Sequence, residues 1–208
     1  MSHDIIDVYD RSIFEMRNVF TAEECQEFID FHEKSPNKTN GEIIESGNGN
    51  RVVNNNIKNS TDVGIDYYNK LTELFIKRVQ KSYMNYIKHL YVINRECGLR
   101  LFSSNYVIQT PCIQRSDKGG YFKWHTDYTE DHNGHRIVAI IVYLNDINEE
   151  NGGSTEFNSG RKVQPEVGKI LFFPTSDLHI HRGNTIIKGD SKYIITSFLL
   201  KPRLDISK

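Results

Sequence analysis

Trp124-His125-Thr126-Asp127 and the distant His179-Ile180-His181 carry the side chains of this chain best suited to chemistry. Two imidazoles and one carboxylate are a ligand set for a non-haem Fe(II) oxygenase. Three ligands on one face leave the other positions of an octahedral iron open for a co-substrate and dioxygen. A His-x-Asp by itself occurs often by chance on solvated loops. Its weight here comes from the segments that lie between the two clusters and after them.

Those segments read as short strands joined by close turns. Lys118-Gly119-Gly120 is a turn that gives way to the aromatic run leading into His125. His125 and Asp127 are two residues apart, so within a strand they project from one face and can share a metal. Arg136 to Asn145, RIVAIIVYLN, is a near-continuous apolar run that predicts a strand buried on both faces. Asn148 to Gly153 is a polar turn, and Ser154 to Phe157 is a short strand after it. Pro165 and Gly168 mark another turn, Lys169 to Phe173 a strand closed by Pro174, and Tyr193 to Leu200 the last strand. The succession predicts an antiparallel sandwich or jelly roll.

Taken as an ordered set, His125-x-Asp127, Gly152-Gly153 with Thr155-Glu156-Phe157, Gly168 to Pro174, a distal His and a following Lys resemble the iron- and 2-oxoglutarate-dependent dioxygenases. Within these, the chain is most similar to the prolyl 4-hydroxylase-like branch. The resemblance covers roughly residues 100 to 200 and implies a double-stranded β-helix. It implies that His125, Asp127 and one distal His hold Fe(II). It implies that 2-oxoglutarate is the co-substrate, split to succinate and CO2 as an unactivated C–H bond is hydroxylated, and leaves room for ascorbate as a reductant. Lys192 occupies the family's position for the cation that meets the far carboxylate of 2-oxoglutarate. Tyr143 matches a position whose hydroxyl helps to bind that carboxylate, and Thr196, four residues after Lys192 on one strand, could face the same pocket. For the distal ligand, His181 is favoured over His179, because His181-Arg182-Gly183 matches the family's His-x-Gly and lies closer to Lys192.

Two departures stand out. Members commonly have a Tyr three residues before the first His, and Phe122 stands there, with Tyr121 beside it; Arg115 or Ser116 takes a further upstream position. The run from Lys192 to Phe198 has no arginine, unlike the paired-arginine signature of the nucleobase-repair members.

Other readings of single residues are structural. Tyr143 in an apolar strand is equally a core aromatic, and a lone lysine at Lys192 would usually be a solvated one. His132 and His135 read as a polar hairpin tip, and His3, His32 and His89 have no supporting cluster. At 208 residues and 24.2 kDa, with 26 basic against 27 acidic side chains, the chain reads as one domain spanning residues 1–208. Its charge balance offers no electrostatic case for nucleic acid or anionic membranes. Cys25, Cys97 and Cys112 are an odd, scattered set that suggests thiols in a reducing, cytoplasmic setting. No secretion signal opens the chain, and no apolar run approaches the roughly 20 residues of a membrane span.

Residues 1–99 read as helical support with a mobile loop. Thr21-Ala22-Glu23-Glu24 is a capping box, opening a helix to about Lys34 that buries Cys25, Phe28, Ile29 and His32 and is stopped by Pro36. Ile13 to Val19 predicts an edge strand. A longer helix is expected from about Tyr67 to Leu90 with a stripe at Ile76, Val79, Tyr83, Ile87 and Leu90. Glu45 to Asp62, rich in Asn, Gly and Ser, reads as a mobile loop. The expected fold is mainly β with α support: a jelly-roll core at residues 100–200 with N-terminal helices packed on its sheet. The expected activity is hydroxylation of a prolyl residue in a protein or peptide. A free amino acid or other small-molecule substrate is the alternative, and a non-catalytic metal-binding module a third reading.

Overall fold

The structure, a computed structural model, describes residues 10–44, 50–93, 106–128, 130–131 and 134–201. Strand β1 (Phe14–Met16) precedes helix α1 (Ala22–Lys34). Five short strands follow: β2 (Thr39–Asn40), β3 (Glu42–Ile44), β4 (Arg51–Val53), β5 (Lys58–Asn59) and β6 (Thr61–Gly64). After helix α2 (Lys70–Ile93) come β7 (Val107–Ile108), β8 (Cys112–Ser116), β9 (Tyr121–His125), β10 (Glu130–Asp131) and β11 (Gly134–Tyr143). The chain then forms β12 (Thr155–Phe157), β13 (Lys162–Val163), β14 (Ile170–Pro174), β15 (His181–Gly183) and β16 (Lys192–Lys201). The larger sheet runs β1-β14-β11-β16-β8-β6-β2, with β10 beside β11 and β7 beside β16; the smaller runs β13-β12-β15-β9-β5, and β3-β4 is a separate hairpin. Every pairing is antiparallel, as a mainly β, jelly-roll-type fold with two helices requires.

The strand alternation of the larger sheet separates two cores. Val138, Ile140 and Val142 of β11, Ile170 and Phe172 of β14, and Ile195 and Leu199 of β16 meet Phe28, Phe75, Val79 and Tyr86 of the helices. Ala139, Ile141 and Tyr143, with Leu171 and Phe173, point the other way and meet Phe157 and Val163 of the smaller sheet. The apolar run is therefore buried on both faces, as its composition predicts. Each large apolar side chain withdrawn from water here contributes about 1.5–3 kcal/mol.

Helix α1 begins with the reciprocal bonds of its capping box. Glu24 N donates to Thr21 Oγ1 and Thr21 N to Glu24 Oε2. It buries Cys25, Phe28 and His32, whose Nε2 meets the Thr61 carbonyl at 3.0 Å; Ile29 is half-buried.

Helix α2 departs from the sequence reading in two ways. It starts at Lys70 because Asn69 Oδ1 accepts from Leu71 N, while Tyr67 and Tyr68 stay exposed in the preceding turn. Its fully buried seam is Thr72, Phe75, Val79, Ser82, Tyr86 and Leu90, with Ile76, Tyr83 and Ile87 on its flank. The sheet lies under Phe75 and Tyr86, and the ring of Tyr86 stacks on Phe172 at 5.3 Å; periodicity alone could not choose between two adjacent apolar rows.

Three further expectations are corrected. The 45–62 stretch holds β4, β5 and the start of β6, so it is not one continuous loop; residues 45–49 and His132 lie outside the described residues, as do His3 and Cys97. The edge strand predicted over 13–19 is only β1, since Asn18 turns the chain at φ 57°. Strand β9 ends at His125, so Asp127 lies beyond the strand and not on a shared strand face. Of the other imidazoles, His135 belongs to β11 and His89 Nε2 faces the Arg11 carbonyl at 2.5 Å. Cys25 and Cys112 are free thiols, both pushed up to about 12, first by burial.

Candidate metal centre and co-substrate pocket

Strands β9 and β15 are hydrogen-bonded neighbours, and their register sets His125 opposite His181. Asp127, two residues past the first imidazole, reaches back between them. One ligand atom from each of the three lies within 4.8 Å of the others. His125 Nε2 is 3.7 Å from Asp127 Oδ1, and His181 Nε2 is 3.5 Å from Asp127 Oδ2. Each ring turns its other nitrogen to a backbone acceptor: His125 Nδ1 to the Lys123 carbonyl at 2.7 Å, and His181 Nδ1 to the His179 carbonyl at 3.0 Å. A carbonyl only accepts, so both Nδ1 atoms carry the proton and both Nε2 lone pairs face the cluster.

Aromatic rings fix these planes. Phe122 stacks on His125 with centroids 3.5 Å apart and planes 15° off parallel. Phe173 meets His181 edge-on at 4.7 Å, with Phe157 at 5.8 Å. Burial, then the nearby His181, lowers the His125 imidazole to about 4, against the weaker opposing pull of Asp127. It is thus neutral at neutral pH, the state a metal requires. His179 is oriented away: its Nε2 meets Ser12 Oγ at 2.6 Å and its Nδ1 meets Ser176 Oγ at 2.9 Å. The donor set is two imidazoles and a carboxylate, and it fits a divalent iron.

A cavity of about 1290 Å³ opens over this cluster, walled by β16, β8 and β6 on one side and β9 and β15 on the other. Lys192, Ile194, Thr196 and Phe198 line it from alternate positions of β16. Lys192 is buried; its Nζ donates to the Gly153 carbonyl at 3.0 Å, and no carboxylate of the described residues pairs with it. Burial brings its ammonium down to about 8. An ammonium held out of water without a counter-charge is an anion site in waiting. The Gly152-Gly153 turn makes room for it. Gly153 is at φ 72°, and a Cβ there would lie 2.5 Å from Ile186 Cδ1 and 3.6 Å from Lys192 Cδ.

Tyr143 stands one step behind the wall. It is fully buried, its hydroxyl donates to Thr155 Oγ1 at 2.7 Å, and Thr155 is the residue that faces the cavity. Arg182 and Arg115, two further cations near the clusters, are engaged elsewhere. Arg182 pairs with Glu156 at 2.8 Å, and Arg115 with Asp117 at 2.7 Å and Glu33 at 3.2 Å.

Several wall residues were not legible as site residues. Lys58 and Asp62 form a buried ion pair at 2.6 Å, with Ser60 Oγ donating to Asp62 Oδ1 at 2.7 Å. The Lys58 ammonium also lies 5.4 Å from the Phe122 ring centre. Arg136 lays its guanidinium over Phe198 at 3.8 Å on the cavity wall. The only sequence sign of these was a lysine and an aspartate inside a polar stretch, which reads equally as a solvated loop.

Residues 111–200 match the family model of the 2OG-Fe(II) oxygenase superfamily. A PKHD-type hydroxylase of Synechococcus sp. (strain CC9902) is 29% identical over 70 residues, a match spanning about a third of each chain, 32% in both cases. Among solved structures, the viral collagen prolyl hydroxylase of Paramecium bursaria Chlorella virus-1, in its 2OG complex, superposes with TM-score 0.65 at 18% identity, covering 90% of this chain and 95% of that one. A Pseudomonas putida prolyl-4-hydroxylase gives 0.64 at 14%, covering 95% and 98%. A Trichoplax adhaerens prolyl hydroxylase, in complex with a hypoxia inducible factor oxygen degradation domain peptide fragment, gives 0.67 at 19%, covering 95% and 89%. Residues 111–200 thus resemble the 2OG-Fe(II) oxygenase superfamily, whose metal is Fe(II) and whose co-substrate is 2-oxoglutarate, and the chain shares the fold of these solved prolyl hydroxylases.

Proposed function

We propose that this enzyme, one domain over residues 1–208, hydroxylates a prolyl residue held in a peptide or protein, with release of succinate and CO2. The observation that carries the reading is the placement of the buried, carboxylate-free Lys192 and the His125–Asp127–His181 cluster in one cavity. His125, Asp127 and His181 would hold the iron through two Nε2 atoms and a carboxylate oxygen. The bound metal and co-substrate would supply the activation of dioxygen and the oxidation of the C–H bond. Lys192 would meet the far carboxylate, and Thr196 stands on the same face of β16 beside it. Tyr143 would act through Thr155, holding that hydroxyl in place. The aromatic rings packed on His125 and His181 would keep water from one side of the site.

A peptide suits the volume better than a free amino acid. Pockets for small ligands enclose roughly 300–1,000 Å³, and this cavity holds about 1290 Å³. No helix of the described residues is long and apolar enough to cross a membrane. The free thiols Cys25 and Cys112 favour a reducing, cytoplasmic setting. The test is co-substrate turnover with Fe(II), screened against blocked proline-containing peptides and free amino acids. Expected are succinate and the gain of one oxygen on a peptide prolyl residue. Turnover with free amino acids alone replaces this substrate class, and failure of any sample to consume 2-oxoglutarate returns the chain to a metal-binding module.

A further inference from the structure

We infer that Gln114 is a selectivity residue for the co-substrate, its carboxamide donating to the same far carboxylate that Lys192 meets; this rests on the function proposed above. Gln114 belongs to β8, whose Cys112, Gln114 and Ser116 line the cavity while Ile113 is buried in the core under the helices. Gln114 is half-buried, and among the described residues no hydrogen bond engages its side chain. A long polar side chain without a partner in a cavity wall has its donors and acceptor free for what enters.

Its place is set by two rows of paired residues. On the smaller sheet Thr155 pairs with Gly183, Gly183 with Phe122, and Phe122 with Lys58. On the larger sheet Tyr143 pairs with Ile194, Ile194 with Gln114, and Gln114 with Asp62. The ends of the rows are joined across the sheets. Tyr143 donates to Thr155 Oγ1 at 2.7 Å at one end, and Lys58 meets Asp62 at 2.6 Å at the other. The rows thus close into a ring around the cavity, with Ile194 and Gln114 on one side and Gly183 and Phe122 on the other. The next pair along β15 and β9 is His181 and His125, so the ring lies one step from the metal ligands. Arg182, between Gly183 and His181, points to the other face of its sheet, where its guanidinium lies 4.5 Å from the Trp124 ring centre.

Lys192 enters this ring from the neighbouring row of β16. Its Nζ lies 3.7 Å from where a Cβ on Gly183 would stand. Gln114 is its diagonal neighbour between β8 and β16, a separation of roughly 7–8 Å that long side chains bridge. Lys58 and Asp62 balance each other, so the ring keeps the positive charge of Lys192, which one carboxylate offsets. A carboxylate accepts at about four positions. Lys192 has hydrogens left after its bond to the Gly153 carbonyl, and the Thr155 hydroxyl, which accepts from Tyr143, keeps its own proton to donate. The Gln114 carboxamide adds a further donor without a second charge. Phe122 and Ile194 supply apolar cover for the methylene chain between the two ends of the ligand.

The test is isothermal titration of the whole protein loaded with Mn(II), so that no turnover intervenes. Two probes are compared: 2-oxoglutarate, and 2-oxobutyrate, which offers the metal the same keto acid but has no far carboxylate. Gln114→Leu is expected to weaken 2-oxoglutarate binding about tenfold, the worth of one hydrogen bond to a charged group, and to leave 2-oxobutyrate binding unchanged. Gln114→Asn, which is one methylene shorter, is expected to show the same loss. Gln114→Glu sets a second carboxylate against the first and is expected to weaken 2-oxoglutarate further than Gln114→Leu does. The thermal midpoint of ligand-free Gln114→Leu should not fall, since no bond within the protein is lost. Equal weakening of both probes, or a lowered midpoint, gives Gln114 a structural role and overturns the inference. Unchanged 2-oxoglutarate binding in Gln114→Leu and Gln114→Glu also overturns it, while the proposed function stands. Binding of neither probe to the unaltered protein overturns both.

Discussion

Lys58 Nζ lies 2.6 Å from Asp62 Oδ2, and this buried pair joins β5 of the smaller sheet to β6 of the larger. Both charges are largely withdrawn from water, so each depends on the other. Removing one leaves the other uncompensated, at a cost of about 3–5 kcal/mol. Lys58→Met is accordingly expected to lower stability by that order in urea unfolding. The double variant Lys58→Met/Asp62→Leu should recover most of the loss. A single variant as stable as the unaltered chain would show that water reaches the pair and carries its charge.

His125→Ala and Asp127→Ala should each abolish iron-dependent turnover with little loss of folding. The distal pair separates the ligand from its neighbour. His181→Ala should lose Fe(II) binding, since its Nε2 faces Asp127. His179→Ala should keep most of it, since both ring nitrogens of His179 are engaged by Ser12 and Ser176. Metal titration of the two variants checks the ranking, and the opposite order would move the ligand to His179.

Lys192→Ala should raise the KM for 2-oxoglutarate about tenfold to a hundredfold, the worth of a charge-assisted pair of roughly 1.5–3 kcal/mol. Fe(II) affinity should not change, because Lys192 is not among the clustered ligands. Arg182 and Arg115, being paired elsewhere, should not substitute for it.

The same lysine predicts a pH dependence. Its ammonium is brought from 10.5 to about 8 by burial. The folded chain therefore holds fewer protons than the unfolded chain between those values, and stability rises with pH across that window. Co-substrate binding runs the opposite way, since it needs the charged form. Affinity for 2-oxoglutarate should be level below pH 8 and fall about tenfold per pH unit above it. Isothermal titration across pH 7 to 9.5 reads this directly, and Lys192→Arg should flatten the profile because a guanidinium stays charged.

Tyr143→Phe removes the hydroxyl that donates to Thr155. About 1 kcal/mol of stability should go with the bond, visible as a lower unfolding midpoint. A severalfold rise in the KM for 2-oxoglutarate would indicate that Thr155, once released, no longer holds its place on the cavity wall.

The sequence was most legible where one local rule acted alone. Thr21 and Glu24 announced α1 because both halves of a capping box are local bonds. Val138 to Tyr143 announced a central strand because both its faces are dry. The ordered motifs pointed to His125, Asp127 and His181, which the fold brings together. Residues 50–62, within the stretch read as a mobile loop, were misread for a physical reason. Lys58, Asp62 and Gly64 face a cavity, and the strands that carry them lack the apolar alternation by which a half-buried strand is recognised. The seam of α2 was misplaced by one row because Phe75 and Tyr86 owe their burial to Phe20 and Phe172, partners far away along the chain. The Arg182–Trp124 contact needed the pairing of β15 with β9, which no local pattern encodes.

The pairing of β9 with β15 has a consequence for assembly. On the proposed ligand set, iron ties His125 to His181 across the whole segment from Thr126 to Ile180, which includes β11 and β14. The metal would then be a reversible staple closing a long loop, with a stabilising effect that grows with free iron concentration. It would also act late, since its ligands meet only after the last strand of the smaller sheet has docked. Chelation should therefore lower the thermal midpoint of a folded sample, while added iron should leave the earliest refolding phase unchanged.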